Sequence, residues 1–95
     1  MSKERYDLIE TRLRSAFEPS DLLIKDQSHL HAGHAGAQDG KGHFEVRIVS
    51  DRFDGLARLA RHRAVFDALG EMMHTDIHAL KIHAQTSEEK AASGR

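Results

Sequence analysis

The chain has 95 residues, a formal net charge of −1, 39% hydrophobic residues and no cysteine. A chain of this length folds as one small domain around one modest core, and four Phe, one Tyr and no Trp suit a thin two-layer fold better than a large enzyme with a deep pocket. Near-zero net charge excludes a global positive field drawing the chain to nucleic acid; zero cysteine excludes disulfides, thiolate metal sites and a cysteine nucleophile.

The opening segment MSKERYDLIE is charged and lacks the apolar stretch of a secretory signal, and no window is long and apolar enough to cross a membrane. A cytoplasmic protein without a membrane role is expected. Residues 3–17 read as a helix, because Tyr6, Ile9, Leu13 and Phe17 recur at steps of three and four. Pro19, the only proline, marks its end. DLLIKDQS (21–28) reads as a first strand. Residues 28–42 carry four Gly among small and polar residues and read as a long loop, the kind that is usually functional. With few side chains to anchor it, residues 30–41 are expected to move freely in the absence of a partner.

GHFEVRIVS (42–50) is the clearest strand: Phe44, Val46 and Ile48 alternate with His43, Glu45 and Arg47, giving one buried and one wet face. After a turn over DRFDG (51–55), residues 56–73 read as helix, with Leu56, Leu59, Phe66, Leu69 and Met73 near one stripe and a break expected near the start. HTD (74–76) reads as a turn and IHALKIHAQ (77–85) as a third strand. SEEKAASGR (87–95) has no apolar periodicity and is expected to be a flexible tail after a domain spanning residues 1–86. A helical crossover between the second and third strands implies that they run parallel. The first two, joined by the loop, should be antiparallel. The expectation is an α+β fold, a three-stranded mixed sheet with helices on one face, with Phe44, Val46 and Ile48 buried against Ile9, Leu13, Leu59 and Leu69.

Histidine is the residue type with unusual placement. His29, His31 and His34 lie within HLHAGH, where imidazoles could bind zinc, copper, nickel or iron; a solvated Gly-rich loop with incidental His is the equally available alternative. His78 shares the parity of Leu80, Ile82 and Ala84, which makes it a core histidine by alternation, although its place at a strand start leaves it near an edge. His83 has the other parity and belongs to the wet face. His62 lies beside the apolar stripe of its helix, either buried and hydrogen-bonded or seating the helix against a partner. Arg58, Arg61 and Arg63, with Lys81 elsewhere, are the nearest approach to a basic patch, though a few Arg on a solvated helix are ordinary. Phosphate-loop, dinucleotide, nucleophile-elbow and zinc-protease motifs are all missing, and no pair of acids can be placed in one cleft. No catalytic constellation is visible.

The stretches DQSHLHAGHAG, GHFEVRIVSDRFDGLARLARHRAVFDAL and TDIHALKIHAQT, from about residue 21 to residue 86, resemble the BolA-like family. The resemblance implies a fold like the class II KH domain, in the order helix-strand-strand-helix-helix-strand. It implies a non-enzymatic adaptor that pairs with a monothiol glutaredoxin and shares a [2Fe–2S] cluster with it, for iron–sulfur cluster handling or iron sensing. The glutaredoxin cysteine and glutathione then supply sulfur, while this chain supplies nitrogen from the strand histidine, which matches His78, and from a loop residue, which aligns with His31, with His29 and His34 as near alternatives. The family also implies a transcriptional regulator acting on DNA, with Arg58, Arg61, Arg63 and Lys81 on phosphate; against this, the chain has no G-x-x-G clamp between the two helical parts. A third reading is an autonomous zinc or nickel site in the HLHAGH loop. The free chain is expected to be a monomer or weak dimer.

Overall fold

The structure is a computed structural model that describes residues 2–27 and 42–93. His29, His31, His34 and the loop expected to move freely lie outside the described residues.

Ile9, Leu13 and Phe17 fall one turn apart on α1 (Ser2–Phe17) and are buried together, with Tyr6 half-buried beside them. The helix stops at Glu18, whose φ of 45° turns the chain just before Pro19. The chain then enters β1 (Asp21–Asp26), which pairs antiparallel with β2 (Gly42–Val49). β2 is the central strand, because β3 (Ile77–Gln85) lies parallel on its other side, giving the sheet order β1-β2-β3. The α+β class, the mixed sheet and the connection sense are those expected from the sequence.

Phe44, Val46 and Ile48 project from β2 into a core shared with Ile9, Leu13, Ile24, Val65, Leu69 and Ile82. A short 3-10 turn, Asp51–Phe53, follows β2. It is capped by Ser50, whose hydroxyl accepts from the Arg52 amide at 3.1 Å and donates to the Phe17 carbonyl at 2.6 Å. This buried serine ties the end of α1 to the end of the central strand.

α2 (Arg58–Leu69) and α3 (Met72–Thr75) differ from expectation in two ways. The helical region breaks near its end rather than its start, at Gly70, whose φ of 57° and ψ of −129° suit glycine alone. Also, the buried stripe is Val65, Leu69 and Met72, whereas Leu59 is 61% exposed and Leu56 and Phe66 are 38% exposed. Apolar residues occupy two sides of this helix, so period alone could not choose between them. The expected burial of Leu59 is therefore overturned.

Residues 87–93 are helical as well, forming α4 (Ser87–Ser93) where the composition suggested an irregular tail. None of its residues is buried, so packing does not hold it. The Thr86 amide donates to Glu89 Oε1 at 2.9 Å and the Glu89 amide donates to Thr86 Oγ1 at 3.2 Å, a reciprocal capping box. Arg61 then clasps α4 to α2 and β3: its guanidinium donates to the Ala84 carbonyl at 3.1 Å and, through Nη2, to Glu89 Oε2 at 2.9 Å. Lys90 pairs with Asp21 across the sheet edge.

The hydrogen bonds from Arg61, joined by that from the Thr86 amide, pull the Glu89 carboxyl from its ordinary 4.5 to about 2. A carboxyl depressed on folding contributes stability above its unfolded value, and that contribution disappears as pH falls through the folded value. Between about pH 4.5 and about pH 2 the wild-type chain should therefore lose stability more steeply than Glu89→Gln. Urea midpoints measured across this window check the expectation, and parallel curves would contradict the clasp.

Candidate functional site

The chemistry-bearing side chains gather at one end of the sheet, where β3 begins. Gly42 pairs with Ile77, but the next residue of β2, His43, pairs with Ala79. One extra residue is thus accommodated on β3, a β-bulge that contains His78. Its consequence is a change of side-chain parity. Ile77 is buried at 2% exposure although it has the opposite parity to Ile82, which is buried at 6%. His78 is exposed. Alternation along the strand pointed His78 toward the helices; the bulge overturns that expectation and leaves the imidazole exposed.

His43 does not belong to a wet face either. It is only 7% exposed and Glu45 only 9%, so Arg47 alone of the three expected outer residues is exposed. The His43 and His78 rings lie 5.0 Å apart between centroids and are tilted by 50°. The backbone of His43 is fixed from β1, since the Gln27 amide donates to its carbonyl at 2.7 Å. The Gly42 amide donates to the Asp76 carbonyl at 2.8 Å. Gln27 and Gly42 bracket the segment that carries His29, His31 and His34, and both lie at the end of the sheet where β3 begins, Gly42 beside β3 and Gln27 on the far side of β2.

Further along the outer face, His83 is exposed as expected and its Nε2 lies 3.0 Å from Glu45 Oε2. Gln27 Nε2 donates to Glu45 Oε1 at 3.2 Å and Arg47 reaches Oε2 at 3.5 Å. Burial pushes the Glu45 carboxyl up, but Lys25, Arg47 and His83 together outweigh it and hold the group below its ordinary value. Glu45 is thus a structural anion tying the three strands. Among the described residues, no three His, Cys, Asp or Glu side chains converge as metal ligands.

The basic residues are dispersed. Arg58 and Arg63 are exposed on α2, whereas Arg61 is engaged with Glu89 and backbone carbonyls. Lys81 alternates with the buried Ile82 and so points to the sheet face away from the helices, apart from Arg58 and Arg63. Arg58, Arg61 and the half-buried His62 line one side of an open groove of about 500 Å³, with Arg47 and His83 on the other. Among the described residues, no helix is long and apolar enough to cross a membrane.

Two features escaped the sequence reading. The bulge has no local signal, since it exists only in the pairing of β3 with β2. The capping box did have one, Thr86-Ser87-Glu88-Glu89.

Fold and geometry define a small α+β domain with an exposed histidine in a bulge at the start of its edge strand. A family profile described as BolA-like protein matches residues 13–89. The DNA-binding transcriptional regulator BolA of Escherichia coli (strain K12) is 43% identical over 89 residues, covering 94% of this chain and 79% of that protein. Protein BOLA1, chloroplastic, of Arabidopsis thaliana is 40% identical over 90 residues, covering 92% of this chain; the present chain spans 56% of its length. The chain likewise spans only 23% of the SufE-like protein 1 of Arabidopsis thaliana. The solved BolA domain of SufE1 from that plant superposes with a TM-score of 0.79 at 38% identity, covering 90% of this chain and 94% of that one. The chain belongs to the BolA-like family.

Proposed function

We propose that this protein is a non-enzymatic adaptor that pairs with a monothiol glutaredoxin and, with glutathione, completes the ligand set of a [2Fe–2S] cluster through His78 and a loop histidine, His31 or its neighbours His29 and His34. The observation that carries the reading is the bulge: it holds an exposed imidazole on a rigid strand at the same end of the sheet as both anchors of the histidine-rich segment. His31 is the fourth residue after Gln27, a tether of at most about 14 Å. The donor chemistry fits, because imidazole nitrogen suits iron and the chain has no sulfur ligand of its own other than methionine. Imidazole in place of thiolate leaves such a cluster less negative and raises its potential. His78 contributes a fixed nitrogen; the loop contributes one tethered at both ends.

The test is to mix the chain with a cluster-loaded monothiol glutaredoxin and glutathione and to follow visible absorption and circular dichroism. A changed ligand-to-iron spectrum at one equivalent is expected. A spectrum equal to the sum of the two components would contradict the reading.

A second reading, a DNA-binding regulator, is favoured by the name of the bacterial relative and by the groove bearing Arg47 and Arg58. Its mark would be duplex binding that weakens steeply with salt. Arg61 contributes little to it while its guanidinium is held by Glu89.

A further inference from the structure

We propose that His43 is a positioning residue for His78: its buried ring forms the wall against which the His78 imidazole is held in one orientation. The inference rests on the reading of His78 as a cluster ligand and extends it to a residue that the motif comparison does not mark.

The regular ladder is interrupted at His78, so the bulge re-aims its side chain onto the outer face. A ligand that must meet an iron in a partner's site needs its nitrogen held within a fraction of an ångström, and supporting side chains do that work. His43 has the properties such a support requires. It lies on the central strand, with β1 bonded on one side and β3 on the other. Its carbonyl accepts from Gln27, which pins its backbone. Its side chain is buried, so its own ring has little freedom. The bulge brings the exposed ring onto it, 5.0 Å between centroids with a 50° tilt, within the range in which flat rings pack favourably. By contrast, the other exposed histidine of β3, His83, is oriented by a carboxylate, Glu45, and lies further along the strand. The same outer face thus carries two histidines held by different means, and only the one at the sheet end is backed by a ring.

The test compares His43→Phe, which keeps a flat ring, with His43→Leu and His43→Ala, which remove it; Leu retains the buried volume should Ala fail to fold. In the isolated chain, the ring-proton resonances of His78 should move in the Leu and Ala variants and stay near their wild-type positions with Phe, while amide resonances of the sheet persist. In the mixed complex, Leu and Ala should shorten the lifetime of the altered cluster spectrum by roughly tenfold or more, and Phe should restore it. Unchanged His78 ring resonances and lifetime in the Leu variant, or a Phe variant as impaired as Leu, would overturn the proposal. His78→Ala separates the two layers: if it leaves the cluster spectrum unchanged, the ligand reading itself fails, whereas a His78→Ala loss combined with a silent His43→Leu removes only the positioning role.

Discussion

Phe53→Ala is expected to lower the unfolding free energy by about 3–5 kcal/mol. The ring is fully buried, and its centroid is 4.9 Å from that of Phe17. It plugs the corner where α1 ends and β2 turns, a corner also tied by Ser50 to the Phe17 carbonyl. Truncation removes transfer free energy and leaves a cavity that the capped 3-10 turn cannot close, since its backbone is fixed at both Ser50 and Leu56. Domains of this size are stable by about 5–15 kcal/mol in total, so the loss is a large share and should lower the melting temperature by roughly 15–30 °C. Leu59→Ala is the control. Its side chain is largely exposed, and its cost should stay within about 0.5 kcal/mol. Urea unfolding of both variants checks the pair; equal losses would mean that α2 buries the stripe first expected from the sequence.

The second large effect is functional. His78→Ala should abolish the altered cluster spectrum of the mixed complex while leaving the fold intact. The fold should survive because the ring is exposed and the bulge leaves Ile77, not His78, in the core. The spectrum should not, because the nitrogen on a fixed strand has no exposed equivalent at that end of the sheet among the described residues; His43 is buried behind it. His83→Ala should have little effect, since that imidazole is paired with Glu45. His31→Ala should do less damage than His78→Ala, with His29 and His34 available two and three residues away in the chain. Visible circular dichroism of each variant with the same loaded glutaredoxin reads the series. A wild-type spectrum from His31→Ala/His78→Ala would contradict the ligand assignment and raise the DNA-binding reading above it.

What the sequence disclosed depended on whether a signal was local. β3 matched its expected bounds, Ile77–Gln85, because Leu80, Ile82 and Ala84 alternate with Ala79, Lys81 and His83 in a run that follows the turn signal HTD. α1 and β2 were equally legible, one from steps of three and four and the other from alternation. The face of α2 was not legible, since Leu59 and Phe66 on one side compete with Val65 and Leu69 on another, and only the docked sheet decides. α4 was overlooked because a seven-residue helix held by a capping box and ion pairs shows no apolar period. At the candidate site, alternation gave His78 the wrong side, because register is a property of two strands. Burial of His43 and Glu45 was hidden for a related reason: an outer face reads as wet along one strand, whereas neighbours on both sides cover it in the centre of a sheet.

The central claim is that imidazole nitrogen from this chain reaches iron in the shared cluster. Hyperfine electron paramagnetic resonance tests it most directly, on the reduced mixed complex with the chain labelled with ¹⁵N at histidine alone and the glutaredoxin unlabelled. The account predicts strong ¹⁵N couplings from two imidazoles of the chain, both lost in the His78→Ala complex together with its altered spectrum. A reduced cluster showing no ¹⁵N coupling from the labelled chain would contradict it.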